Sequence, residues 1–166
     1  MTHIAVSIVN APFLYICIFV MKFSIVPLER EHIEYQVERF WDILGSLSSI
    51  DTTITNDMLQ SLLYDIKTQG NIYGALDEDG ILLGIITLII QPTFFRGGKA
   101  AGHIENLVVH PDASGQGIGG ALVRYTLEET KKNDCYKVIL DCSSELLPFY
   151  QKYGFEQREL CMKIYL

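Results

Sequence analysis

The feature that most constrains this chain is a glycine-rich stretch between a predicted strand and a predicted helix. Residues 114–120 read Ser-Gly-Gln-Gly-Ile-Gly-Gly; an apolar strand, His103–Val109, precedes them, and a helical pattern follows from about Gly117 to Lys132. Glycines at such a junction let backbone N–H groups converge on an anion at the positive end of a helix. Side chains would block that approach, and some positions there need a positive φ. The stretch therefore predicts an anion site, with an ordinary helix-start turn as the alternative.

The glycine spacing alone does not identify the anion. Gly115-x-Gly117-x-x-Gly120 matches the dinucleotide-binding fingerprint, but a single match of this kind is weakly specific. A chain of 166 residues is too short for two mononucleotide-binding halves. No Gly-Lys-Ser/Thr follows the glycines, which argues against a nucleotide-binding P-loop. A dinucleotide-binding module stays open as an alternative at this point.

Apolar spacing along the rest of the chain predicts a mixed α/β fold. Strands are predicted at 22–26, 72–76, 81–90, 103–109, 136–142 and 155–166, and helices at 31–44, 55–69, 117–132 and 145–153. The second helix is expected to be capped near Thr55 and to end at Gly70. Its inner face is predicted to carry Leu59, Leu62, Leu63 and Ile66. The early strands read as a hairpin and the later ones flank one crossover, which indicates a mixed sheet rather than a doubly wound one.

Composition narrows the possible partners. Apolar residues make up 49% of the chain, enough for a core, and the length fits one domain. The net charge of −7 and pI of about 5.0 argue against a nucleic-acid or membrane-surface binder, which needs a basic face. An anionic small ligand remains compatible if backbone N–H groups and a few local cations receive it. The four cysteines have no zinc-binding spacing, so we expect no metal and a cytoplasmic protein with reduced thiols.

The first 20 residues are predicted to be an apolar extension, and residues 21–166 a single domain. Ile4–Val20 is nearly all apolar over about 17 residues, the lower limit for a membrane span, and Asn10 and Pro12 interrupt it. A start codon assigned too early, a membrane anchor or signal, and an extra packed segment all fit this pattern. Membrane contact is expected only if the segment acts as an anchor.

Three further motifs add specificity to the glycine stretch. They read Gly-His-Ile-Glu-Asn at 102–106, Cys-Tyr-Lys-Val-Ile-Leu-Asp-Cys at 135–142 and Phe-Tyr-Gln-Lys-Tyr-Gly-Phe at 149–155. In this order the chain resembles the GNAT family of N-acetyltransferases, and within it the glucosamine-6-phosphate N-acetyltransferases. The general resemblance covers about residues 21–166, and the narrower one mainly 88–155. Ser114 stands where the family's Gln/Arg-x-x-Gly-x-Gly/Ala pyrophosphate loop has Gln or Arg.

The resemblance implies a fold and an activity. The fold is a GNAT α/β fold with a mixed central sheet of about six to seven strands and four helices, splayed between the fourth and fifth strands. The activity is direct acetyl transfer from acetyl-CoA, as co-substrate, to the amine of glucosamine 6-phosphate in a ternary complex, as in UDP-N-acetylglucosamine biosynthesis. A homodimer with a shared active site is also implied. The alternatives are another small amine or a protein N-terminus as acceptor, and a non-catalytic CoA-binding module.

The resemblance assigns cofactor contacts to the glycine stretch, the fourth strand and one tyrosine. These residues are Leu107, Val108, Val109, Gly115, Gln116, Gly117, Ile118, Gly119, Gly120 and Tyr150. Tyr150 is implied to be catalytic, as the group that stabilises or protonates the departing thiolate; otherwise it is a core aromatic. Glu105 and Asp141 are the other implied catalytic residues. Each is an acidic residue in an apolar strand, which is costly unless it is paired or functional.

Substrate contacts are implied for two loops and two strands. These residues are Leu47, Ser48, Thr93, Phe94, Phe95, Arg96, Glu105, Asn106, Tyr136, Lys137 and Asp141. Tyr136 and Lys137 would meet the sugar phosphate. Tyr165 stands where some family members carry a near-terminal arginine, so Lys163, Lys137 or Arg96 would have to compensate. A covalent acetyl-cysteine route through Cys135 or Cys142 is the alternative to direct transfer, which we prefer because neither cysteine has an adjacent histidine.

Overall fold

One five-stranded sheet organises the part of the chain that the computed structural model describes, residues 22–49 and 54–165. In spatial order its strands are β1 (Phe23–Pro27), β2 (Gly70–Asp77), β3 (Leu82–Gln91), β4 (Ala100–Val109) and β5 (Cys135–Leu140). The pairs from β1 to β4 are antiparallel, and β5 is parallel to β4. This arrangement confirms the predicted mixed α/β sheet.

The strand predicted at 155–166 is not formed over residues 155–165, so the described residues contain five strands rather than six to seven. Leu160, Met162 and Ile164 alternate as in a strand, but their side chains are 83–93% exposed. In this single chain no apolar burial therefore offsets the conformational entropy of ordering a strand there.

Helices cover both faces of the sheet. They are α1 (Arg30–Tyr35), α2 (Val37–Gly45), α3 (Asn56–Gln69), α4 (Ile118–Lys132) and α5 (Leu147–Gln151), with short 3-10 turns at Pro111–Ala113 and Ser144–Leu146. The helices α4 and α5 contribute to a core with one face of the sheet, and α1 to α3 contribute to a second core with the other face. The side chains of β3 are divided between the two cores: Leu83 and Ile86 enter the first, and Leu82 and Ile85 the second.

The single helix predicted at 31–44 is divided at Gln36, which gives five helices in the described residues instead of four. Gln36 has φ −124 and ψ 37, outside the helical region. Its side-chain amide donates to the Gly80 carbonyl at 2.9 Å and accepts from the Leu82 N–H at 2.8 Å. This residue therefore bonds to the β2–β3 turn, a long-range contact that helical spacing does not reveal.

The helix α3 begins and ends where its local signals predict. Thr55 is the N-cap, its hydroxyl accepts the Met58 N–H at 3.3 Å, and Gly70 follows the last turn. Leu59 and Leu63 are buried, as predicted, but Leu62 is 46% exposed and faces away from the core. The predicted inner face was one residue too wide, because α3 packs only on its sheet side.

The predictions for residues 1–20 lie outside the described residues. Within the described ranges, every helix is too short or too polar to traverse a lipid bilayer.

Candidate functional site

The fourth and fifth strands separate partway along their length. Their pairing runs from Ala100 opposite Cys135 to Ile104 opposite Leu140. There β5 ends, whereas β4 continues to Val109, so the 105–109 backbone has no partner strand on that side. This confirms the predicted splay. An exposed strand edge of this kind can pair with an extended ligand through backbone hydrogen bonds.

A β-bulge lies at the start of the separated segment. Ile85 and Thr87 of β3 are opposite Val108 and Glu105, so β4 carries one residue more than its partner over this stretch. Asn106 in the bulge has φ 51, a left-handed conformation that asparagine tolerates better than most residues. Bulges occur often beside active sites, where they redirect a side chain or an N–H group. Sequence reasoning missed this feature, although a polar Asn106 within an apolar strand was a signal for it.

The glycine stretch forms an open cradle at the N-terminus of α4. Gly115 and Gly117 have φ 77 and 80, and a Cβ on either would project into space free of protein atoms within 4 Å. Gly117 is the N-cap and carries no capping side chain, and the first turn contains no acidic residue. The Ala121 N–H donates to the Gly117 carbonyl at 3.1 Å, which leaves the three preceding helical N–H groups without an intrahelical acceptor. Such a helix end fits a phosphate group.

The predicted cofactor residues around the cradle have different exposures. Ile118 is buried, so it can face a ligand only through its backbone. A Cβ on Gly119 would lie 3.6 Å from a methyl carbon of Val109 and 3.7 Å from the ring of Phe149. The end of β4, the cradle and α5 therefore meet at one point of the molecule.

Tyr150 lies on α5 with its side chain 7% exposed. Its ring packs edge-to-face on Phe149 and Phe155, with centroids 5.0 and 5.8 Å away. Among the described residues, its hydroxyl has no hydrogen-bond partner. Burial and, secondarily, the nearby Cys142 thiol raise the pKa of Tyr150 above its ordinary value. The phenol therefore keeps its proton at neutral pH and can act as a donor.

The two predicted catalytic carboxylates follow the last β4–β5 pair but are not buried. One Glu105 carboxylate oxygen lies 3.3 Å from Nε2 of His103, and the Glu105 side chain is half exposed. Asp141 is exposed and accepts a hydrogen bond from the Cys161 thiol at 3.4 Å. The expected desolvation cost of an acidic residue in these strands therefore does not arise, because both carboxylates are exposed to solvent.

The predicted substrate residues lie mainly on exposed segments. Leu47 and Ser48 follow α2, and Phe94 and Phe95 are exposed at the tip of the β3–β4 loop. Arg96 in the same loop has φ 55. In the described part of the chain, no hydrogen bond or ion pair joins these segments to Glu105, Asp141 or Tyr150.

The β3–β4 loop is fixed at its base. The Thr93 hydroxyl donates to the Lys99 carbonyl at 2.8 Å, and the Lys99 ammonium pairs with Asp134 at 2.6 Å.

On β5, the Lys137 ammonium lies 5.7 Å from the centroid of the Tyr136 ring, so the two predicted phosphate-binding residues are neighbours.

The described residues also line an open pocket of about 290 Å³ beside α1 and α3. Its lining consists of Leu28, Glu29, Arg30, Ile33, Gln60, Leu63, Tyr64, Lys67 and Ile72, none of them a predicted site residue. Within residues 22–49 and 54–165, no three His, Cys, Asp or Glu side chains are grouped as metal ligands.

Comparisons with known proteins agree with this fold. A family model described as the Acetyltransferase (GNAT) family matches residues 37–155. A glucosamine 6-phosphate N-acetyltransferase of Trypanosoma brucei brucei is 48% identical over 85 residues, 51% of this chain and 58% of that protein. A protein of the same name from Arabidopsis thaliana is 30% identical over 130 residues, 76% of this chain and 87% of that protein.

A solved acetyltransferase structure from Trypanosoma brucei has a TM-score of 0.78 and 34% identity, covering 87% of this chain and 100% of the other. The fold is therefore that of a GNAT acetyltransferase. The sequence match to the first relative spans little more than half of that relative's length.

Proposed function

Since this chain belongs to the acetyltransferase (GNAT) family, we propose that it transfers the acetyl group of acetyl-CoA to the amine of glucosamine 6-phosphate. The product is N-acetylglucosamine 6-phosphate, a precursor for UDP-N-acetylglucosamine. The family supports the acetyl transfer, and the names of the Trypanosoma and Arabidopsis relatives support the choice of acceptor. Both substrates bind together and the acetyl group passes directly between them.

One observation carries the proposal: an anion cradle, a free strand edge and a buried phenol meet at the same point. The pyrophosphate of acetyl-CoA binds the N–H groups at the start of α4, through the cradle of 115–120. Its pantetheine arm extends along the 107–109 backbone, which has no partner strand on that side. Holding two reactants in line can contribute about 7–11 kcal/mol to catalysis in favourable cases.

Acetyl-CoA supplies an activated thioester, and the protein supplies the groups around it. A backbone N–H in the bulge near Leu107 donates to the thioester carbonyl oxygen. As the C–S bond breaks, Tyr150 donates its proton to the departing thiolate, since the phenol is protonated at neutral pH. Burial and the nearby Asp134 raise the pKa of Cys135, which disfavours its thiolate and supports direct transfer over a route through that cysteine.

The amine side of the reaction uses the carboxylates at the splay. The acceptor enters as an ammonium and must lose a proton before its nitrogen can form the C–N bond. Glu105 and Asp141, with the Asp141 backbone carbonyl, bind the amino sugar and help to remove that proton. Lys137 and Tyr136 bind the sugar phosphate, a role that suits an exposed ammonium beside an aromatic ring.

A second copy of the chain completes the substrate side. Phe94 and Phe95 of the β3–β4 loop are exposed, and so are Leu160, Met162 and Ile164. Exposed apolar groups of this number are typical of surfaces that a partner covers. We therefore propose a homodimer in which the 155–165 segment and the 93–96 loop help to build the partner's site.

The test is an acetyl-transfer assay with the purified full chain. Acetyl-CoA is incubated with glucosamine 6-phosphate, and the release of free thiol is followed. Glucosamine without the phosphate and a peptide with a free N-terminus serve as comparison acceptors. We expect turnover with the sugar phosphate and far less with the other two. Turnover with the peptide alone would overturn the substrate, and saturable acetyl-CoA binding without any product would overturn the catalysis.

A further inference from the structure

The glycine cradle contains no cation of its own. Residues 114–121 read Ser-Gly-Gln-Gly-Ile-Gly-Gly-Ala, and the chain as a whole carries a net charge of −7. Acetyl-CoA carries several negative charges on its pyrophosphate and 3′-phosphate. Charge-assisted hydrogen bonds to phosphate are stronger than neutral ones, so a binding surface of this kind benefits from a local guanidinium or ammonium.

Arg124 places a guanidinium beside the glycine cradle. It lies four residues after Gly120 on α4, and side chains on a helix lean toward its N-terminus, so the two positions share one face. The Nη1 atom of Arg124 is 3.6 Å from the point where a Cβ of Gly120 would stand. The guanidinium therefore occupies the space beside the first turn that a side chain at 120 would otherwise take.

Tyr153 holds the guanidinium in this place. The Cζ atom of Arg124 lies 5.7 Å from the centroid of the Tyr153 ring, within the range of a cation–π interaction. The Tyr153 hydroxyl approaches Gly120 so closely that a Cβ there would overlap it. Glycine at position 120 thus leaves room for the Tyr153 side chain. Tyr153 in turn orients Arg124, so the guanidinium is already positioned beside the cradle.

The charges on α4 are arranged so that Arg124 stays available to a ligand. At the C-terminal end of the helix, Lys131 pairs with Glu128 at 2.7 Å and Lys132 pairs with Glu129 at 2.6 Å. Over the described ranges, Arg124 has no carboxylate partner within salt-bridge distance. The guanidinium is exposed, and no acidic residue lies in the first turn.

We propose that Arg124 is a phosphate-binding residue for acetyl-CoA, held in position by Tyr153. It provides the cation that Ser114 and the glycines do not. This inference rests on the proposed function, since it names a further residue for the same co-substrate. Its guanidinium contacts either the pyrophosphate on the cradle or the 3′-phosphate of the adenosine, two groups of the same chemistry within one ligand.

The test measures binding of acetyl-CoA and of 3′-dephospho-acetyl-CoA by titration calorimetry. The variants are Arg124→Gln, Arg124→Lys and, as a control with the same loss of charge on the same helix, Lys131→Gln. We expect Arg124→Gln to weaken acetyl-CoA binding roughly tenfold, as for one hydrogen bond to a charged group. Its affinity should also depend less on salt, because one exposed charge pair is gone. Arg124→Lys should recover part of the loss, and Lys131→Gln should match the wild type.

The two ligands then locate the contact. A loss seen with acetyl-CoA but not with the dephospho form assigns Arg124 to the 3′-phosphate, and an equal loss with both assigns it to the pyrophosphate. Wild-type affinity and salt dependence in Arg124→Gln, with the folded state verified by circular dichroism, would overturn the inference alone. Failure of the wild type to bind acetyl-CoA would instead overturn the proposed function and the inference with it.

Discussion

The two sides of the splay differ in how completely the residues of a single chain build them. The cofactor side consists of β4, the cradle and α5, whose residues pack around a buried Tyr150. The substrate side consists of the exposed 93–96 loop, the exposed carboxylates and the irregular 155–165 segment. We therefore propose that one chain pre-organises the donor half of the proposed reaction, and that a second copy of the chain closes the acceptor half.

The largest effect on the cofactor side is expected from Tyr150→Phe. The variant keeps the ring and its packing but removes the proton donor. We expect kcat to fall about 100-fold, within the range for loss of a general acid, with little change in acetyl-CoA binding. Steady-state kinetics and calorimetry measure the two quantities. An unchanged rate would exclude Tyr150 from the chemistry.

The substrate side is tested by Ile164→Asp. Ile164 is 83% exposed in the single chain, so the variant should fold normally. If a partner buries this side chain, an aspartate there should weaken dimerisation by at least about 30-fold, the equivalent of about 2 kcal/mol. Sedimentation velocity measures the oligomer. Tyr35→Asp, at another exposed position, is the matched control, and equal behaviour of both variants would argue against the proposed interface.

A smaller effect separates ligand binding from backbone strain at the cradle. Gly117 and Gly80 have nearly the same φ, 80 and 79, and neither has protein atoms within 4 Å of the point where a Cβ would stand. Alanine at either site should cost about 1–2 kcal/mol of folding stability. Only Gly117→Ala places a methyl group in the cradle, so it alone should weaken acetyl-CoA binding, about tenfold. Equal acetyl-CoA affinities in the two variants would show that the phosphates do not bind at the cradle.

The smallest effect concerns the core beneath α4. Burial first, and then Glu129, raise the pKa of Tyr73 from 10.0 to about 12. The unfolded chain releases this proton near pH 10, and the folded chain retains it until about pH 12. This contribution to stability is therefore complete below pH 10 and is lost as the pH rises through that interval, by about 1 kcal/mol at pH 11.

Denaturant unfolding of Tyr73→Phe between pH 9 and about 11.5 measures that loss. The variant should lose less stability than the wild type as the pH rises. The exposed Tyr35→Phe should follow the wild-type profile. Parallel curves for all three proteins would mean that Tyr73 is not protected in the folded core.

Local signals in the sequence correctly predicted the glycine turn before α4, the N-cap of α3 and the extent of α4. The glycines of the cradle, the Thr55 cap and the apolar period of α4 each act within a few residues, so their consequences can be derived from adjacent positions. The interruption at Gln36 depends on a turn some 44 residues later, and the bulge at Asn106 depends on the register with β3. Such features follow from tertiary contacts that spacing does not encode.

The strand predicted at 155–166 was wrong for a further reason. The 155–166 segment has the alternation of a strand, but over 155–165 one chain provides no surface that buries its apolar positions. Arg124 was also missed, because its relation to the cradle arises from the turn of α4 and from the Tyr153 ring. In both cases the sequence contains the residues but does not reveal which residues they contact in the folded chain.

The central claim, that one chain supplies the donor side and its partner completes the acceptor side, is tested most directly by complementation. Tyr150→Phe and the double variant Phe95→Ala/Arg96→Ala are each assayed alone and then refolded together. Random pairing makes half of the dimers mixed, and each mixed dimer holds one intact site, so about a quarter of wild-type activity should return. A mixture no more active than its better component would show that each site is built within a single chain.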